Sequence, residues 1–217
     1  MSLLKLADMK VEYVDHLGSD INVVNAARVS FAKEVEEFDL VKDAKLINYL
    51  AKHNHFTPLA HTSVTIRVKA PIFMARQFVK HQIGLVWNEE SRRYISDEPE
   101  FFVNTLRGKP VNAKQGSNGL VENSDLFEQM IITNSQNCLD LYNRLLEADV
   151  APEQARSVLP LNTMTNWMWT GSLVAFARVV KLRKDPHAQV EAQELASMIE
   201  AVMEKVYPVS WKALMEN

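Results

Sequence analysis

Cysteine is nearly absent from this chain: Cys138 is the single one among 217 residues. One thiol excludes an internal disulfide and any metal cage made only of cysteines, and it agrees with a reducing compartment. Long apolar runs are absent as well. No stretch approaches the ~18 residues that a membrane span needs, and the opening "MSLLKLADMKVEYVDH" is broken by charges too early for a secretory signal. The expectation is a cytoplasmic protein with no membrane partner. A large excess of one charge is also missing, the formal net charge being -3. Broad nucleic-acid binding neutralises many phosphates at once, so no such partner is expected and the basic residues must act locally. No internal repeat, low-complexity tract or dividing linker occurs. With 47% hydrophobic and 24% charged residues, the chain reads as one globular α/β or α+β domain over 1–217.

The apolar periodicity alternates between strand-like and helix-like. "VEYV" at 11–14 reads as a short strand, and "SDINVVNAARVSF" as a helix capped by Ser19 or Asp20 that turns Val23, Val24 and Ala27 inward. "VKDAKLINYLAKHNH" spaces Leu46, Ile47, Leu50 and Ala51 as a helix does, and "HNHFTP" reads as the turn that ends it. In "HTSVTIRVKAP" the period drops to two, with Val64, Ile66 and Val68 on one face of a half-buried strand. Pro71 fits the first position of a helix over 71–82, where its missing amide proton costs nothing. Residues 103–123, rich in Gly, Pro, Asn and Lys, read as an exposed loop or insertion. A long amphipathic helix over 124–148 carries Phe127, Met130, Ile131, Cys138, Leu141, Tyr142 and Leu145. Pro152 opens a short helix that Pro160 ends, and "TGSLVAFARVVKLRK" and "PHAQVEAQELASMIEAVMEKVY" complete a helical C-terminal third.

The densest chemistry lies in "FVKHQIGLVWNEESRRYISDEPEFF", residues 78–102. On a helix beginning near Pro71, Gln77, Lys80 and His81 share one face, with Arg76 a turn before Lys80. Gly84 allows a tight turn and a close backbone approach. Asn88 and Ser91 can cap the next turn, and Arg92 and Arg93 bring two guanidinium forks suited to a phosphate. The alternative is a solvated helix face salted with Glu89 and Glu90. A rival chemistry would use His53, His55, His61 and His81 on zinc or iron. No HExxH motif, nearby cysteine or intervening carboxylate supports it, so no metal is expected, and a metal-dependent hydrolase on His53, His55 and His61 stays an alternative.

"HFTPLAHTSVTIRVKAPIFMARQFVKHQIGLVWNEESRRY" resembles the signature region of flavin-dependent thymidylate synthase, whose motif reads RHRxxSxNExSxRY. "NAARVSF" upstream and "QARSVLPLNTMTNWMWTGSLVAFARVVKLRKDPHAQVEAQELA" downstream resemble the same family, so the likeness runs from about residue 10 to 215. It implies a central, largely antiparallel sheet flanked by helices. It also implies that dUMP is methylated reductively to dTMP, with methylenetetrahydrofolate as carbon donor and FAD, recharged by NADPH, as hydride carrier. Arg183 would then hold and polarise the pyrimidine. Gln77, Ser91, Arg93 and Arg156 would clamp the nucleotide, in a loop whose backbone Glu89, Glu90 and Arg92 supply. Ser30, His55, Thr57, Lys80, His81, Gln82 and Asn88 fall at the family's FAD contacts, as do Ser172 and Arg178. The active site would be shared within a homotetramer, the helix at 124–148 contributing to the interface.

The match departs from the motif in places. Lys80 and Gln82 stand where arginines usually flank His81, and "QIGLVW" puts six residues between His81 and Asn88 where the motif has five. Ser172, Val174 and Arg178 replace Asn, Arg and Asn. A homologue that binds flavin or nucleotide but has lost turnover is therefore the second alternative. Cysteine-dependent thymidylate synthesis needs an exposed thiolate of lowered pKa. Cys138, mid-helix among Phe127, Leu141 and Leu145, reads as core instead.

Overall fold

In a computed structural model of the chain, residues 4–95, 97–111 and 116–217 are described. The architecture is the mixed α/β one expected, an antiparallel sheet flanked by helices. The chain opens with β1 (Lys10–Leu17), α1 (Asp20–Arg28), α2 (Lys42–Lys52), α3 (Phe56–Ala60), β2 (Ser63–Pro71), α4 (Ile72–Phe78) and β3 (Leu85–Glu89). It continues with β4 (Arg107–Gly108), β5 (Asn118–Leu120), α5 (Ser124–Glu147), α6 (Pro152–Ala155), β6 (Met164–Gly171), α7 (Leu173–Arg183), α8 (Val190–Val206) and α9 (Pro208–Glu216). Four strands pair in the order β1-β2-β6-β3.

The chain forms two compact units of interleaved segments. The first comprises the described part of Met1–Lys10 with Val68–Lys80 and Asn88–Trp167; the second comprises Val11–Arg67, His81–Trp87 and Met168–Asn217. In the second unit, Val23, Val24, Ile47, Leu50 and Leu59 form a core against Ala213 of α9. Ser19 and Asn22 make the capping box that starts α1. The buried carboxylate of Asp20 accepts from the amides of Val209 and Ser210 at 3.0 and 2.8 Å. It thereby satisfies orphan donors at the start of α9, where negative charge is also favoured by the helix dipole. In the first unit Phe101, Leu139, Tyr142 and Ala155 pack together.

The period-two reading of β2 holds: Val64, Ile66 and Val68 are fully buried, whereas Arg67 between them is exposed. Three expectations do not hold. The helix placed over 71–82 spans only Ile72–Phe78, and Pro71 is its extended N-cap, ending β2. Beyond it Gly84, at φ +76°, turns the chain into β3, which the sequence reading left as loop and caps. Gln77, Lys80 and His81 therefore share no helical face. The helix expected from Thr170 starts at Leu173, because Met164–Gly171 is a strand. "MTNWMWTG" shows no clean alternation of polar and apolar residues, so its period is hidden. The "HNHFTP" turn contains the short helix α3, with His53 closing α2 and His55 preceding α3.

On α5 the buried positions are Ser135, Leu139 and Tyr142, while Phe127, Met130 and Leu141 of the expected stripe lie exposed. Cys138 is half-buried there. Within 103–123, Arg107 pairs with Leu120 and Gly108 with Asn118 as a short antiparallel ladder. The expected loop residues 112–115 lie outside the described residues.

Gly171 sits where backbones nearly touch. A Cβ there would lie 2.6 Å from the carbonyl oxygen of Gly84 and 2.4 Å from Leu85 Cδ2. Gly171→Ala should therefore lower stability by about 1–3 kcal/mol, as overpacking does, seen as a lower urea midpoint at unchanged slope; an unchanged midpoint would show that the turn yields freely.

Candidate active site

In the second unit the turn before β3 is fastened to the start of α7. The amide of Leu85 donates to Gln82 O at 3.2 Å, and the amide of Ser172 donates to Gly84 O at 3.3 Å. Ser172 caps α7, its hydroxyl accepting from the Ala175 amide at 3.3 Å. One turn along, Arg178 donates to Ile83 O at 3.1 Å. A Cβ on Gly84 would sit 3.1 Å from Ala175 Cβ and 3.6 Å from Ser172 Oγ, so the glycine permits both the turn and the contact. Stacked aromatics pin the same corner: Trp169 meets Trp87 and Phe176 edge to face, at centroid distances of 5.4 and 5.3 Å.

Ile83 and Arg178 also line a cavity of about 400 Å³ with Phe56, Val174, Lys181 and Leu214. Its walls are apolar and it carries two cations. His55 and Thr57, on either side of Phe56 in the chain, are exposed, as are Lys80 and Gln82. Ser30 is exposed on the 3-10 turn after α1 and donates to Ala27 O at 3.1 Å. Apolar walls with an arginine and a lysine suit a planar aromatic ring carrying phosphates.

At the other end of α7, Arg183 Nε donates to His81 Nε2 at 3.0 Å, both side chains being half-buried. Burial holds the His81 pKa below its ordinary 6.5, and the positive charge of Arg183 adds to that effect. Burial also lowers the Arg183 pKa from its ordinary value. Because Nε2 accepts, the neutral ring carries its proton on Nδ1.

The first unit holds the acidic and arginine-bearing segment. Glu89 and Glu90 are not a solvated helix face. Thr165 Oγ1 donates to Glu89 Oε1 at 2.8 Å, and Asn166 Nδ2 donates to Glu90 Oε2 at 2.7 Å. The Glu90 amide adds a bond to Asn166 O at 2.9 Å. Asn88 lies within β3 rather than capping a turn. Ser91 does close one, its carbonyl accepting from the Tyr94 amide at 2.9 Å. Arg93 Nε donates to Ser91 Oγ at 3.2 Å and its guanidinium lies 5.1 Å from the Tyr94 ring centroid. Arg92 donates to the Asp97 carbonyl. Gln77 is half-buried on α4. Arg156 is exposed on the turn after α6, its Nε donating to Glu153 O at 3.4 Å.

The sequence reading missed Thr165 and Asn166, which hold the two glutamates, and the cavity residues Phe56, Ile83 and Lys181. Recognising β6 as a strand would have exposed the first pair. His53 and His55 stand around Tyr49, with ring centroids 4.3 and 5.9 Å away. Among the described residues no three His, Cys, Asp or Glu side chains are gathered as a metal site requires.

A family profile described as "Thymidylate synthase complementing protein" matches residues 12–209. A flavin-dependent thymidylate synthase from Thermosipho africanus is 37% identical over 210 residues, covering 94% of this chain and 89% of that protein. This chain belongs to the flavin-dependent thymidylate synthase family. Its relative from Thermus thermophilus is 36% identical over 208 residues, with 95% of this chain and 76% of that protein covered. Among solved structures, the UMP/dUMP methylase PolB from Streptomyces cacaoi bound with 5-Br dUMP is similar at a TM-score of 0.88 and 32% identity, covering 98% and 97% of the two chains. Against the family motif, the longer spacer between His81 and Asn88 is the Gly84 turn together with the first three residues of β3.

The His81 contact sets a pH dependence. Its folded pKa lies below the unfolded 6.5, so on acidification the unfolded chain takes up a proton that the folded chain resists. Stability should therefore fall as pH drops below that value. His81→Gln should remove this part of the loss, read as a flatter plot of melting temperature against pH; identical plots for both proteins would place the titration elsewhere.

Proposed function

We propose that this family member methylates dUMP reductively to dTMP, with methylenetetrahydrofolate as carbon donor and NADPH as reductant. The observation that carries the reading is the half-buried Arg183 guanidinium at the end of α7, its Nε donating to His81 Nε2 at 3.0 Å. A half-buried guanidinium keeps its positive charge and can stabilise negative charge that develops on a uracil ring. The site fits FAD through the cavity of Phe56, Ile83, Arg178 and Lys181, with His55, Thr57 and Ser172 beside it in the chain. Bound FAD would supply the hydride that completes the methyl group, a reading supported by the flavin dependence in the relatives' names.

Arg93 and Ser91 would take the nucleotide phosphate, a guanidinium fork being suited to bidentate binding. Gln77 and Arg156 complete the proposed nucleotide contacts. Glu89 and Glu90 shape that loop through Thr165 and Asn166. Ser30, Lys80, His81, Gln82 and Asn88 remain proposed flavin contacts. A homotetramer is part of the proposal, supported by the apolar residues that α5 leaves exposed, such as Leu126 at 60% and Met130 at 58%. So is one domain over 1–217, since each unit is built from three separated segments. Among the described residues no helix is long and apolar enough to cross a membrane, in keeping with a cytoplasmic site of action.

A second reading concerns the sugar: likeness to a UMP/dUMP methylase makes UMP a further acceptor to assay beside dUMP.

Arg183→Ala should keep FAD and its reduction by NADPH while dTMP formation falls about a hundredfold or more, roughly 3 kcal/mol for one preorganised donor. Flavin reduction and dTMP formation are followed in one preparation, and parallel loss of both with the yellow colour would make Arg183 a flavin or folding residue. Cys138→Ser should keep most turnover, with at most a small packing defect. Collapse of dTMP formation in a well-folded Cys138→Ser protein would require a thiolate route.

A further inference from the structure

This inference rests on the reading of Arg183 as the group that holds the pyrimidine. An arginine at a helix terminus carries a long side chain with about 2 kcal/mol of rotamer entropy. Its five N–H groups lie in one plane, so a hydrogen bond at Nε fixes the plane in which the terminal nitrogens present their donors. That bond is the one Arg183 makes to His81 Nε2, at 3.0 Å. His81 in turn is not on a loose loop. The residues that follow it are tied to α7 by Ser172 N to Gly84 O, by Arg178 to Ile83 O, and by the close contact of Gly84 with Ala175. The turn thus delivers the imidazole to the helix that bears the arginine.

We propose that His81 is a positioning residue, whose unprotonated Nε2 fixes the guanidinium plane of Arg183 for recognition of the pyrimidine edge. A substrate-binding fork gains precision when a neighbouring hydrogen bond locks its rotamer. Protonation of Nε2 would remove the acceptor and set two cations side by side. The charge that acts on the ring is that of Arg183, while Arg178, earlier on α7, is engaged by Ile83 O. Burial and the Arg183 charge both keep the ring neutral.

The test is a double-substitution cycle read by calorimetric binding of dUMP to the flavin-bound protein. His81→Ala and Arg183→Ala should each weaken binding by roughly tenfold, the scale of one hydrogen bond to a charged group. With flavin saturation checked in each variant, the double variant should be no worse than Arg183→Ala within about twofold, since His81 is proposed to act on dUMP through Arg183. His81→Gln, whose amide oxygen can accept from Nε, should stay within about threefold of the parent protein. It should also abolish the loss of deoxyuridine affinity expected of the parent on acidification below pH 6.5, deoxyuridine having no phosphate to titrate in that range. Should His81→Ala fail to fold, the Gln variant and its pH profile carry the test. Effects that multiply in the double variant, or a Gln variant that keeps the parent's acid limb, overturn the positioning role alone. Unchanged dUMP binding in folded Arg183→Ala overturns the assigned function of Arg183 as well.

Discussion

The contact on which the second unit depends is the approach of two glycines, Gly84 and Gly171. The carbonyl of Gly84 lies where a Cβ of Gly171 would be, and the same carbonyl accepts from Ser172, the cap of α7. No side chain larger than hydrogen fits at Gly171 without shifting backbone. The positive φ of Gly84 supplies the matching bend on the other strand. From this corner the placement of the chemistry follows. Ile83 O reaches Arg178, β3 runs away toward Asn88, and His81 arrives beside Arg183. Trp87, Trp169 and Phe176 fill the space behind it.

On the proposed reading the site works by stabilising charge. Arg183 is half-buried, and at the contact with His81 it meets a neutral acceptor. Cys138 sits half-buried on α5. The carboxylates of the motif loop are bound by Thr165 and Asn166, so Glu89 and Glu90 act as struts that shape the loop bearing Ser91, Arg92 and Arg93. Their conformation depends on β6 as much as on the motif itself.

Strand β2 and helices α1, α2 and α8 were legible in the sequence because one face of each buries a regular apolar series, as Val64, Ile66 and Val68 do. Strand β6 was not. Its Thr165 is buried alongside Trp167 and Trp169, so a polar residue occupies the inward period and Met168 the other face. Helix α4 was overextended because Val79, Lys80 and His81 have no local feature that stops a helix, whereas pairing of β3 and the Gly84 turn do so from a distance. The same limit applied to the site. The family resemblance named His81 and Arg183 separately, but 102 positions of chain separate them and only the fold shows the hydrogen bond between them. The partners of Glu89 and Glu90 lie 76 residues away and were hidden for the same reason.

The central claim is that this chain makes dTMP with a reduced flavin. The most direct measurement is tritium release from dUMP labelled at C5, using purified yellow protein with methylenetetrahydrofolate, with and without NADPH. The account predicts release of tritium to water in step with dTMP when NADPH is present, and none beyond the stored flavin equivalents when it is withheld. A flavin-loaded, well-folded protein that forms no dTMP under the complete conditions would contradict it.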